Sequence, residues 1–243
     1  MLSLLMSFVV FAALRIATVS DQLWLIRVEQ TFGLFAVTYL YIALLISPLS
    51  YVVGKGRLRH VIFARRGIGV SAAYFALLHG AVALWGQLGG LVALGYLPSF
   101  FQWSLVFGVV GLAVLLVMAA TSFDAVISRM TYRRWKWLPR CIYVGSILIL
   151  LHVWMVGTHV SYGFVQLVGF LALALLLGLE AWRIAGTLAR RFAELQPKEY
   201  FAVVAVSLWV VGLALLVSLP VVVQNYHSTR HNDHTTESEV THE

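Results

Sequence analysis

The sequence predicts an all-α fold, a polytopic membrane bundle of about seven transmembrane helices. Three observations lead there. Of the 243 residues, 61% are hydrophobic and only 11% charged, whereas a soluble domain has about a quarter of its residues charged. Apolar stretches recur along the chain, continuous rather than alternating, which marks helices crossing hydrocarbon and not the strands of a barrel. The basic residues gather in every second connection, the pattern that orients a membrane protein.

The first apolar run extends from about Leu2 to Val19. It lacks a basic segment ahead of it and an A-x-A-like cleavage site, so it reads as a retained span rather than a removed leader. Further runs cover Thr31 to Val53, Gly67 to Trp85, Phe100 to Ala120, Cys141 to Val160, Gly163 to Trp182 and Tyr200 to Val223. Each approaches the roughly 20 residues a helix needs to cross the bilayer. Their glycines suit close helix packing in lipid. Residues 224–243, QNYHSTRHNDHTTESEVTHE, break this composition and read as a polar, disordered tail. The chain thus divides into a first transmembrane helix and outer loop (1–30), a transmembrane core (31–182), a loop with an additional transmembrane helix (183–223) and the tail (224–243).

The chain has 17 Lys and Arg against 10 Asp and Glu, a net charge of +7. Fourteen of those bases lie in Lys55 to Arg66, Ser128 to Arg140 and Arg183 to Lys198. By the positive-inside rule these segments face the cytoplasm, which puts the N-terminus inside and the tail outside. The charge therefore reads as orientation in lipid, and no nucleic-acid partner is expected. The single cysteine, Cys141, permits neither an intrachain disulfide nor a multi-thiolate metal site.

A titratable side chain well inside a span is costly and is a functional candidate. His79 and His152 qualify. They lie 13 and 12 residues beyond Arg66 and Arg140, the last bases of the preceding loops. At about 1.5 Å rise per residue both sit roughly 18–20 Å from the cytoplasmic boundary. Two neutral imidazoles at one level, on spans running in the same direction, suit the axial positions of a b-type haem iron. The alternative is that each histidine bonds only a backbone carbonyl or another helix. His159 falls two turns beyond His152, near the outer interface, where it either hydrogen-bonds a haem propionate or is simply solvated. Arg15, late in the first span, either pairs with a propionate or snorkels without a ligand. Glu180 lies one turn before Arg183 and is expected to neutralise it. Neither Gly67-x-Gly69 nor Gly54-Lys55-Gly56 fits a nucleotide-binding pattern, and no H-E-x-x-H occurs.

The order LLISPL (Leu44 to Leu49), ARRGIG (Ala64 to Gly69), LLH (Leu77 to His79), AATS (Ala119 to Ser122), RRWKWL (Arg133 to Leu138) and LLH (Leu150 to His152) resembles the ferric-reductase-like transmembrane family. Within it, the resemblance is to the haem-binding membrane subunit of the bacterial periplasmic methionine-sulfoxide reductase system. It covers about Thr31 to Trp182. The resemblance implies a six-helix core in a bacterial inner membrane, with haem b between the third and fifth spans and His79 and His152 at the ligand positions. Where that branch has a further histidine, 13 residues before His152, this chain has Pro139, which cannot ligate iron. One haem in the outer half is therefore expected, and the usual second is not.

The resemblance implies an electron-transfer subunit of a membrane oxidoreductase rather than a complete enzyme. Electrons would come from membrane quinol or a separate flavin reductase and leave to a redox partner on the outer, periplasmic side. Two other classes compete with this reading. One is a non-redox structural or assembly subunit of a larger complex, suggested by Pro139 and the added seventh span. The other is a small-solute transporter, which the scarcity of intramembrane charge disfavours.

Overall fold

A computed structural model describes residues 2–54, 56–129, 132–157 and 163–191. The chain divides into two units, Met1–Val156 and Gly157–Glu243. The first contains α1 (Leu2–Ala17), α2 (Asp21–Val53), α3 (Arg59–Ala81), α4 (Ser99–Ala120), the single turn α5 (Asp124–Ile127) and α6 (Tyr132–Val156). In the second, the described helix is α7 (Gly163–Arg191). All regular structure among the described residues is helical, as the apolar runs require in a solvent that cannot satisfy a bare backbone.

Among the described residues, four helical segments are long and apolar enough to cross a membrane: Asp21–Val53, Arg59–Gln87, Ser99–Ala120 and Leu167–Thr187. Leu2–Ala17 and Cys141–Val156 are shorter apolar helices. The second of these is the apolar end of α6, whose first turns carry the RRWKWLPR sequence. The expected seventh span and the tail lie outside the described residues.

Several helices begin earlier or end later than their apolar runs. The Ser20 hydroxyl caps α2 by accepting from the Leu23 amide at 3.2 Å, and Asp21 complements the positive helix end. Residues 21–30, expected as a connecting loop, are thereby the first turns of α2, and Glu29 lies on the helix. The third helix likewise starts at Arg59, ahead of the apolar run. There Arg65 Nε donates to the Ala43 carbonyl at 3.0 Å, and Arg66 pairs with Asp124 at 2.7 Å. Helix α7 runs past Trp182 to Arg191 and contains the expected Glu180–Arg183 pair at 2.7 Å.

The packing of the first unit rests on two helix pairs, α2 with α3 and α4 with α6, joined where α3 meets α4. In the first pair Val28, Phe32, Ala36 and Phe75 are buried, with Phe11 of α1 edge-on to Phe32 and Tyr39 stacked on Phe75. Hydroxyl contacts fasten α1 to α3: Ser3 to Ser71 at 2.8 Å and Tyr74 to Ser7 at 2.9 Å. Such polar contacts hold helices together where lipid removes the usual hydrophobic driving force. In the second pair the helices approach through small residues. A Cβ on Gly111 would stand 2.5 Å from Ile149 Cγ1, and one on Gly145 would stand 2.7 Å from Val114 Cγ1.

Just after His79 the α-helix widens into a π turn, Val82–Gln87. The Leu88 amide reaches back to the Ala83 carbonyl at 3.0 Å. Gly89 and Gly90, with φ of 69° and 103°, then turn the chain into a 3₁₀ segment, Leu91–Tyr96. Widened turns of this kind are common beside functional sites.

Candidate functional site: two imidazoles held by neighbouring helices

His79 of α3 and His152 of α6, 73 residues apart in the chain, come together in the bundle. Their ring centroids are 6.1 Å apart and their planes are inclined by 73°. The depth count along the third and fifth apolar runs is what made this meeting legible.

Each ring is anchored by the helix paired with its own. His79 Nδ1 donates to the carbonyl oxygen of Glu29 at 3.1 Å, on α2. His152 Nδ1 donates to the carbonyl oxygen of Ser104 at 2.9 Å, on α4. A glycine four residues after each acceptor makes the approach possible. A Cβ on Gly33 would stand 2.9 Å from His79 Nδ1, and one on Gly108 would stand 2.9 Å from His152 Nδ1. In an α-helix the carbonyl of residue i−4 lies under the amide of residue i. A missing side chain at i therefore opens the path to that carbonyl. The α2–α3 and α4–α6 pairs thus repeat one device, although no internal repeat is visible in the sequence.

The geometry fixes the chemistry of both rings. A backbone carbonyl can only accept, so Nδ1 carries a proton and, in the neutral ring, Nε2 keeps its lone pair. Among the described residues, every hydrogen-bond partner of the two imidazole rings is on Nδ1. Both imidazoles therefore present Nε2 as a neutral metal donor, with the opposite nitrogen held in the way ligating histidines are usually held. Metal–imidazole bonds are about 2 Å and a ring centre lies about 1 Å behind its nitrogen, so two imidazoles sharing one ion have centres about 6 Å apart. The observed spacing meets that requirement. No group of three or more His, Cys, Asp or Glu that could hold a metal by itself occurs among the described residues. A pair of imidazoles suits an ion whose remaining ligands come from a macrocycle.

The side chains of the two anchoring residues differ. Glu29 Oε1 accepts from His79 Nδ1 at 2.9 Å, and Gln87 Nε2 donates to Glu29 Oε2 at 3.4 Å. The fully buried Ser104 has its hydroxyl 3.2 Å from His152 Nδ1 and 3.4 Å from the His152 carbonyl, to which it donates. The sequence reading missed Glu29 and Ser104. The available signal was a polar residue four positions before a glycine, E-x-x-x-G and S-x-x-x-G, on the helix paired with each histidine helix.

Arg15 is engaged elsewhere. Its guanidinium pairs with Asp21 at 2.6 Å and lies 5.6 Å from the Trp24 ring centroid. It has no contact with either histidine among the described residues. His159 lies outside the described residues. Pro139 falls in the first part of α6, 13 residues before His152.

Comparison with known proteins places this arrangement. Residues 31–150 match the family model described as ferric reductase like transmembrane component. The chain is 31% identical over 164 residues to the protein-methionine-sulfoxide reductase heme-binding subunit MsrQ of Ralstonia nicotianae, covering 64% of this chain and 70% of that one. To the protein of the same name from Polaromonas naphthalenivorans it is 29% identical over 188 residues, covering 76% and 84%. To the magnetosome protein MamZ of Paramagnetospirillum magneticum it is 32% identical over 136 residues, covering 54% of this chain but 20% of that protein. No solved structure matches. With both histidines set in matching cradles on successive helix pairs of its transmembrane bundle, the chain belongs to the ferric-reductase-like transmembrane family.

Proposed function

We propose that this chain is a membrane electron-transfer subunit that holds one b-type haem between His79 and His152. The observation that carries the reading is the pair of rings 6.1 Å apart, each with Nδ1 committed to a helix carbonyl and Nε2 left as a donor. The relatives named as heme-binding subunits support it.

When bound, the haem supplies reversible one-electron chemistry inside the bilayer. The protein's part is to bind and orient. The carbonyls of Glu29 and Ser104 fix the tautomer of the two imidazoles, and Gly33 and Gly108 give the rings room to reach those carbonyls. Rigid helix positions hold the donors through a change of oxidation state, which keeps reorganisation small. The donor in this reading is membrane quinol or a separate flavin reductase, and the acceptor a redox protein on the outer side. The basic segments support an orientation with the N-terminus in the cytoplasm. His159 is assigned to the outer interface, and Arg15 would serve a propionate only by exchanging Asp21 for it.

The test is to purify the full chain and record oxidised and dithionite-reduced spectra with a pyridine haemochrome assay. One haem per chain with a bis-imidazole spectrum, lost in His79→Ala and in His152→Ala, is expected. Haem-free protein that co-purifies stoichiometrically with other subunits supports a structural role instead, and a spectrum surviving both substitutions rejects the ligand assignment.

A further inference from the structure

Resting on that reading, we propose that Glu29 is a positioning residue that sets the electron affinity of the site through His79 and makes the two imidazoles electronically unequal donors. The two rings are anchored alike by backbone, so the difference between them lies in the side chains of the anchoring residues. Behind His79 stands a carboxylate, Oε1 at 2.9 Å from Nδ1. Behind His152 stands a hydroxyl at 3.2 Å, and it gives its own hydrogen to the His152 carbonyl.

Glu29 is held for this task. Among the described residues its side chain meets His79 with one oxygen and Gln87 with the other, and no Lys or Arg pairs with it. Gln87 reaches it from the last residue of the π turn, so the widened helix after His79 places the second support. The side chain is 18% exposed, in a segment where a carboxyl group without a role is a cost.

The consequence follows from electrostatics. A charge-assisted hydrogen bond is shorter and stronger than a neutral one and draws the Nδ1 proton toward the acceptor. The opposite nitrogen then gains basicity, as with carboxylates standing behind metal-bound histidines elsewhere. A more basic donor and a nearby negative charge both favour the oxidised iron. Glu29 therefore lowers the midpoint potential, while Ser104 orients His152 with little effect on it.

Redox titration of the full-length haem-loaded protein in detergent, comparing the unmutated chain with Glu29→Gln and Ser104→Ala, tests this. Gln keeps the size and the accepting oxygen but removes the charge. The expected result is a higher midpoint potential for Glu29→Gln, by more than any shift in Ser104→Ala. A potential equal to the unmutated protein's, or a shift no larger than that of Ser104→Ala, overturns the proposal. Near-infrared magnetic circular dichroism of the unmutated ferric protein reports independently of any variant's folding. A charge-transfer band at higher energy than that of two neutral imidazoles is expected, and a band at the neutral bis-imidazole position overturns the proposal. Absence of haem in the unmutated protein rejects the haem reading itself, a result distinct from haem with an unmoved potential.

Discussion

Gly33 of α2 is in van der Waals contact range of the His79 ring only because it has no side chain: a Cβ there would stand 2.9 Å from Nδ1 and 3.2 Å from Cε1. Gly33→Ala must therefore displace the ring from the Glu29 carbonyl or bend α2 away. Disturbing the support of a metal-binding histidine typically costs 10- to 100-fold in affinity, so a loss on the order of 10-fold or more is expected here. Gly108→Ala should do the same to His152, whose Nδ1, Cε1 and Cγ would lie 2.9, 3.0 and 3.1 Å from the new atom. Haem per chain after purification is the measurement. Alanine is the better helix former by about 1 kcal/mol, so helix propensity gives no reason for a loss. Full occupancy in both variants would show that the rings have room to spare.

The α4–α6 contact makes a separate prediction about stability. At Gly111 an added methyl would fall 2.5 Å from Ile149 Cγ1, and overpacking of this kind costs about 1–3 kcal/mol. Thermal unfolding in detergent should show Gly111→Ala lowered in Tm. Adding Ile149→Ala, which removes the obstructing atoms, should restore part of the loss. Without that recovery, the close approach of the two helices is not what Gly111 serves.

Between α1 and α3, Tyr74 donates to Ser7, whose own hydrogen goes to the Leu4 carbonyl at 2.8 Å. Interhelical hydrogen bonds in membranes average about 0.6 kcal/mol and reach about 1.7. Ser7→Ala and Tyr74→Phe should each cost that order. Combined, they should cost no more than the larger single loss, because both remove one interaction. Unfolding of the single and double variants measures the coupling, and simple additivity would mean that the two hydroxyls act independently.

Orientation can be read with thiol labelling, since Cys141 is the sole cysteine. In a Cys141→Ser background, Tyr96→Cys should react with a membrane-impermeant maleimide from the outside. Tyr96 is 86% exposed in the segment joining α3 to α4. Arg57→Cys, in the basic connection before α3, should react only after permeabilisation. The reverse pattern would invert the topology derived from charge.

Much of this is legible in the sequence. The apolar run from Phe100 to Ala120 is within a residue of α4, and counting from Arg66 and Arg140 put His79 and His152 at one level. Such a count gives height along a helix but not the direction a side chain takes around it. The carbonyls of Glu29 and Ser104 that meet the rings were invisible for that reason. Glu29 was hidden twice, because Asp21 to Gln30 is polar enough to read as a loop. The capping signal that overrides this, Ser20 followed by Asp21, was present in the sequence. The π turn after His79 leaves no composition signature.

Each imidazole is tethered within its own helical hairpin, His79 to α2 and His152 to α4, and neither depends on the other for its orientation. During biogenesis the earlier hairpin can thus enter the bilayer with its ring already set, before the later one has been synthesised. In the proposed haem reading, capture of the cofactor would be the closing step of assembly, clasping two prefabricated halves around a shared guest.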